Sequence, residues 1–188
     1  MGKSGEDNAT LYHVFPHNQH LFQLPECASQ QVCNAVYLRL NFSTPLCACP
    51  EPGDPCSAST LHTDSHSLRL SADRGGKVLT LAKTCEEVPS IRVCEKNRDW
   101  SILALQNIRT GKAHYLVICT CPPSGVLEGP LAQTGAPYAK VPGIRVYGML
   151  CITGKKRRRK ARLGWGVQTT NPVFPPVPRH FWETVTQS

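Results

Sequence analysis

Two tetrads, Cys47-Ala48-Cys49-Pro50 and Cys119-Thr120-Cys121-Pro122, decide how this chain is read. Around the first, Cys27, Cys33 and Cys56 complete the frame C-x5-C-x13-C-x-C-P-x5-C. Around the second, Cys85, Cys94 and Cys151 complete C-x8-C-x24-C-x-C-P-x28-C. The sequence thus carries one cysteine pattern twice, and its 10 cysteines are an even number. Even counts in a repeated frame read as disulfides, formed in an oxidising compartment. Zinc is the competing use, but it favours C-x2-4-C knuckles or histidines at fixed spacing, which these frames lack. No thioredoxin-like pattern surrounds either C-x-C.

In an extended chain, residues i and i+2 point to one face. Cys47 and Cys49, and likewise Cys119 and Cys121, therefore project side by side, and each is expected to bond to another strand. Cys27 and Cys33 are the nearest candidates in the first copy, and Cys85 and Cys94 in the second. Cys56 and Cys151 are then left for each other. Order within each set stays open. Pro50 and Pro122 end the strands at once.

Length and charge set further bounds. Cys27 to Cys151 span 125 of 188 residues, about 60 per repeat. Modules so small bury little apolar surface and need covalent help. Of the 21 Lys and Arg, 13 lie in residues 1–154 against 12 acids, a balance of +1. The other 8 lie beyond, against Glu183 alone, a balance of +7. The cysteine-rich body is nearly neutral, which argues against a global nucleic-acid surface. No segment approaches the ~18 apolar residues of a membrane span. The first residues are polar and acidic and do not read as a signal peptide.

The expected class is all-β, small and disulfide-rich, with two tandem cysteine-rich modules and disordered tails. The expected divisions are a flexible arm over 1–23, a first module over 24–55, a second over 56–153 and a basic, proline-rich tail over 154–188. In the arm, His13, His17 and His20 surround Pro16, which rules out a regular helix presenting them to a metal. From Asn34 the chain alternates, with Val36, Leu38, Leu40 and Phe42 on one strand face and Tyr37, Arg39 and Asn41 on the other. Asn41-Phe42-Ser43 is an N-glycosylation acceptor, and Asn8-Ala9-Thr10 is a second. Residues 50–76 read as turns and loop. Val78–Ala82 is a short strand. Trp100–Gln106 suits strand or helix by pattern alone, and pairing with Tyr115–Cys119 across a Gly-tipped turn makes it a hairpin. The proline-rich stretch 122–143 is expected to be irregular, and Ile144–Tyr147 to lead as a last strand to Cys151.

Further residues carry a family likeness. Leu24-Pro25-Glu26-Cys27, Val32-Cys33 and Cys47-Ala48-Cys49-Pro50-Glu51 resemble the first cysteine cluster of the Argos (giant-lens) family. Cys56, Cys85, Val93-Cys94, Arg98-Asp99-Trp100, Cys119-Thr120-Cys121-Pro122 and Cys151 resemble its next six-cysteine module in the same order. The likeness covers about residues 24–152, and centipede scoloptoxins are more distantly similar. It implies secreted, three-finger-like β-modules that bind an EGF-like growth factor outside the cell and antagonise receptor signalling. Family members end in a third cysteine-rich module, whereas a basic tail follows Cys151 here.

Three function classes follow. A secreted binding protein would recognise its protein ligand through loops on a rigid frame. The turn Asn107–Ala113 with Arg109, and the loop Ser124–Gly143, are the expected surfaces, with Tyr138 and Tyr147 as aromatic anchors. A venom-like effector directed at a receptor or channel would use the same frame. The run Lys155, Lys156, Arg157, Arg158, Arg159, Lys160 and Arg162 suits heparan sulfate, or proteolytic processing at Arg159-x-x-Arg162, better than nucleic acid. An enzyme is disfavoured. Ser65-His66-Ser67 lacks an orienting acid, Glu86 and Glu87 point apart, His62 and His66 sit in a loop, and no phosphate loop is present. No cofactor and no metal are expected.

Overall fold

The computed structural model describes residues 12–15, 18–53, 55–61, 63–72, 78–133 and 142–154, with isolated positions at 177, 179, 181, 182 and 185. The described strands are all antiparallel. β1 (Tyr12–Phe15) and β2 (Asn18–Gln23) form a ribbon in what was expected to be a structureless arm. Pro16 forbids a helix there but leaves strands on either side.

The contacts divide the chain between Ser90 and Ile91, not at the expected 55/56 boundary. The first unit holds β3 (Val32–Tyr37), β4 (Phe42–Pro45), β5 (Ser67–Ala72) and β6 (Val78–Thr84), in the sheet order β4-β3-β6-β5. The second holds β7 (Asp99–Asn107), β8 (Ala113–Val117), β9 (Val126–Gln133) and β10 (Ile144–Ile152), in the order β8-β7-β10-β9. The topologies are identical: two hairpins lie side by side, and the first strand of one pairs with the second strand of the other.

This duplication is real, but its register differs from the cysteine frame read in the sequence. All ten cysteines are paired, as Cys27–Cys47, Cys33–Cys56, Cys49–Cys85, Cys94–Cys119 and Cys121–Cys151. Cys85 closes the first unit rather than opening the second, so the units hold six and four cysteines. The expected Cys56–Cys151 bond does not form, and Cys49 and Cys121 reach cysteines later in the chain than the candidates assigned to them. Spacing cannot see this. The central pair in each unit, β3 with β6 and β7 with β10, brings the end of the unit back beside its start. As anticipated, neither C-x-C bonds internally.

The backbone around the sulfurs repeats closely. Cys27 N–H donates to Ala48 O and Cys94 N–H to Thr120 O. The short parallel bridges Glu26 with Ala48 and Val93 with Thr120 match. Gln30 and Arg98 both stand at positive φ, 61° and 67°, each three residues before the equivalent positions Cys33 and Ser101. Each tetrad runs into a turn in which a glycine N–H, Gly53 or Gly125, donates to the carbonyl of the tetrad proline. The fifth disulfide is the exception. Ser101 takes the place of Cys33, and its Oγ donates to Cys119 O at 2.7 Å.

Three local expectations fail for identifiable reasons. The alternation from Asn34 to Phe42 is not one strand. The chain reverses over Leu38–Asn41, and Tyr37 pairs with Phe42. The strand before the turn is buried on both faces, from Val32 to Val36, because β3 is central. The Ser-rich stretch 50–76 contains β5, whose polar residues suit an edge. The proline-rich stretch 122–143 contains β9, which accommodates Pro130 because it too is an edge and is bulged opposite Gly148–Leu150. Trp100–Gln106 forms strand, as its pairing with β8 required. Its near-continuous burial explains the ambiguous pattern, since a central strand covered on both faces loses its alternation.

Small clusters form the interior. Cys27, Cys33, Cys47 and Cys49 make one and Cys94, Cys119 and Cys151 another, while Val36 packs on Leu81 across β3 and β6. Ile102, Leu103, Leu105, Val117 and Leu150 are almost wholly buried in the second sheet. In the tail, expected to be disordered, Arg179, Phe181, Trp182 and Val185 are helical. Phe181 and Val185 are fully buried.

Candidate binding surface

Each unit ends in a hairpin tip built on one plan. In the first, Leu38-Arg39-Leu40-Asn41 turns between β3 and β4, with Asn41 at φ 46°. In the second, Ile108-Arg109-Thr110-Gly111 turns between β7 and β8, with Gly111 at φ 73°. Left-handed backbone at that position selects Asn or Gly, the residues that occupy it at least cost. Both tips therefore present an aliphatic residue followed by an arginine. Arg39 and Arg109 are exposed, and Ile108 keeps 51% of its surface in water. The equivalence spans residues of low identity, which is why the chain alone did not display it.

The second tip is held by several local bonds. Asn107 Oδ1 accepts from the N–H groups of Arg109 and Thr110, at 2.9 and 3.3 Å. Gly111 N–H donates to Asn107 O at 2.8 Å, and Asn107 N–H to Lys112 O at 2.9 Å. Gln106 Nε2 donates to Gly111 O, and Ile108 N–H to Gly143 O, which ties the turn to the start of β10. A surface fixed before binding loses less conformational entropy when a partner docks. Burial holds the ammonium of Lys112, at the foot of this tip, below its usual pKa. Beside it, His114 is buried at 0% exposure. Burial first, and the Lys112 charge second, depress its pKa from 6.5 to about 4, so the ring is neutral near pH 7.

Arg109 accordingly stands exposed at a rigid tip. Tyr147 lies elsewhere, in mid-β10, half-buried opposite Ala104. Ala104 also pairs with Tyr115. Directly opposed residues share a sheet face, so Tyr115, Ala104, Tyr147 and Ala132 form one row across the four strands. Sequence reasoning missed Tyr115 in this row, because only the strand order β8-β7-β10 puts it next to Tyr147. Tyr138, Asn8, His62 and the basic run 155–162 lie outside the described residues.

The residues weighed for catalysis have other partners. His66 Nδ1 is 3.0 Å from Thr84 O. Glu86 Oε1 accepts from Gln30 N–H and Glu87 Oε1 from Ser65 Oγ. A polar cluster missed by sequence lies in the first unit. Lys83, fully buried, donates to Asp64 Oδ2 at 2.7 Å, to Leu61 O at 3.1 Å and to Ser67 Oγ. Burial tends to raise the Asp64 pKa. Hydrogen bonds from Lys83 and Ser67, the Lys83 charge and a bond from Ser57 outweigh it and bring it down to about 2. The cluster pins the connection before β5 onto β6. Its only signal in the sequence was a lysine inside the strand Val78–Thr84.

No protein-family model and no curated protein matches the chain. Among solved structures, the crystal structure of unliganded Argos is similar, with a TM-score of 0.54 and 24% identity over 69% of this chain. The match takes in 57% of the Argos chain, so this chain spans little more than half the length of that structure. The fold is therefore Argos-like: all-β, with duplicated four-stranded antiparallel sheets and five disulfides.

Proposed function

We propose that this chain is a secreted binding protein that captures an EGF-like growth factor outside the cell and withholds it from its receptor. The observation that carries the reading is the Argos-like arrangement of the sheets and cysteine pairs, together with the family likeness of the residues around the cysteines. The disulfides support an oxidising, extracellular setting, because bonds of this kind do not persist in the cytosol. The Ile108–Arg109 tip is the contact we assign first, since hot spots favour Arg at preorganised sites beside apolar surface. Tyr147 and Tyr138 are assigned as secondary anchors.

A biosensor assay of the full chain against a panel of EGF-domain growth factors tests the proposal. Binding of one member, weakened at least tenfold by Arg109→Glu, is expected. Absence of binding to every member overturns the growth-factor reading and leaves the scaffold intact. For the run from Lys155 to Arg162, with Lys156, Arg157, Arg158, Arg159 and Lys160 between, heparan sulfate is the proposed partner. Its retention on heparin should fall steeply with salt and vanish in a chain ending at Gly154.

A further inference from the structure

The two hairpin tips share a backbone but differ at one decisive position. Gly111 occupies the left-handed site in the second unit, and Asn41 occupies it in the first. Asn41 is followed by Phe42 and Ser43, so the acceptor tripeptide sits at the outer end of a hairpin, with the Asn side chain exposed. An exposed asparagine at a hairpin tip leaves room for an attached glycan in the folded protein. The surroundings are the second, independent observation. Leu40 is 74% exposed and Phe42 54%, and Tyr37 stacks on Phe42 with ring centroids 6.3 Å apart. Three apolar side chains thus flank the asparagine at the turn between β3 and β4. In the second unit the matching turn has no acceptor, and Thr110 and Lys112 replace Leu40 and Phe42. The tip that carries the acceptor is the one that carries the excess apolar surface.

We propose that Asn41 bears an N-linked glycan, that its innermost sugars lie over Leu40, Phe42 and Tyr37, and that it sets this tip apart from the ligand-facing one. The co-substrate is a lipid-pyrophosphate-linked oligosaccharide. A bond forms between Asn41 Nδ2 and C1 of the first N-acetylglucosamine as the C1–O bond to pyrophosphate breaks. The lipid pyrophosphate leaves with the electron pair, and one Nδ2 proton is released. N-acetylglucosamine presents C–H faces that cover apolar side chains, while its hydroxyls keep the tip hydrated. An exposed aromatic–aliphatic tip would otherwise invite association between copies. The proposal rests on the extracellular part of the function assigned above and not on the identity of the ligand.

The test uses the full chain, directed through the secretory pathway of insect cells by an added leader. Intact mass is compared before and after a peptide N-glycosidase that converts the carrier Asn to Asp, with peptide mapping to separate Asn41 from Asn8. Most secreted molecules are expected to carry the sugar at Asn41, and Ser43→Ala, which leaves the turn asparagine in place, should abolish it. Enzymatic removal should lengthen retention on a hydrophobic-interaction column without changing circular dichroism, and growth-factor binding should be unaltered. An Asn41 peptide recovered unmodified from secreted protein overturns the site. Occupancy with unchanged retention on removal overturns the shielding role. Loss of growth-factor binding on removal overturns the division between the tips. The first two readouts are independent of whether any growth factor binds.

Discussion

Lowering the pH should unfasten the first unit through a single ion pair, Asp64 with Lys83. Asp64 has its folded pKa at about 2, against 3.8 for the free group. A carboxyl group depressed on folding adds stability that is complete above the unfolded value and lost as pH falls through the folded one. The difference, just under two pKa steps, is worth about 2 kcal/mol, and it should disappear between roughly pH 4 and pH 2. Asp64 is 28% exposed and Lys83 0%, so the pair is only partly screened. Lys83→Met removes the charge and the donor that hold Asp64 down. Urea unfolding of the disulfide-intact protein, followed by circular dichroism from pH 1.5 to 5.5, gives the stability of both forms. All other carboxyls titrate alike in the two proteins and cancel in the difference. The wild-type curve should fall more steeply than that of Lys83→Met across this window, because Ser67 and Ser57 alone still hold Asp64 in the variant. At pH 7, Asp64→Asn should cost more than Lys83→Met, about 3–5 kcal/mol, because it strands a buried ammonium without its counter-charge. Parallel acid limbs, or a reversed order at pH 7, would refute the reasoning.

Three further outcomes follow from the structure. His114, neutral in the fold with a pKa of about 4, should cost stability as pH falls from 6.5 towards 4, since only the unfolded chain then takes up the proton. The full effect is about 3 kcal/mol, and a His114→Gln variant should lack it in the same urea series. Replacing Cys33 and Cys56 together by Ser should cost about 3 kcal/mol by loop closure. The second unit uses Ser101 at the equivalent place, so the variant should still fold and give the wild-type circular dichroism spectrum. Gly125→Ala should cost about 1–3 kcal/mol in a thermal melt, because its new methyl would lie 2.7 Å from Cys121 Sγ and 3.2 Å from Cys151 Sγ.

Chemistry and local periodicity were legible in the chain itself. The ten cysteines, the C-x-C-P geometry that forbids internal bonding, β6, the β7–β8 hairpin and β10 all rest on interactions within a few residues. So does the exposure of Arg109 at a Gly-containing turn. The pairing partners, the place where one unit ends, the row from Tyr115 to Tyr147 and the Lys83–Asp64 cluster join residues far apart in sequence. Cys49 meets Cys85 only because β6 lies against β3, and Cys121 meets Cys151 only because β10 lies against β7. Edge strands were also hidden. β5 and β9 are rich in polar residues or proline and have no strand signature of their own, and the partner already in the sheet makes them strands. Which atoms cross-link is thus local chemistry, whereas which of them meet is a matter of sheet order, and sheet order is a property of the folded chain.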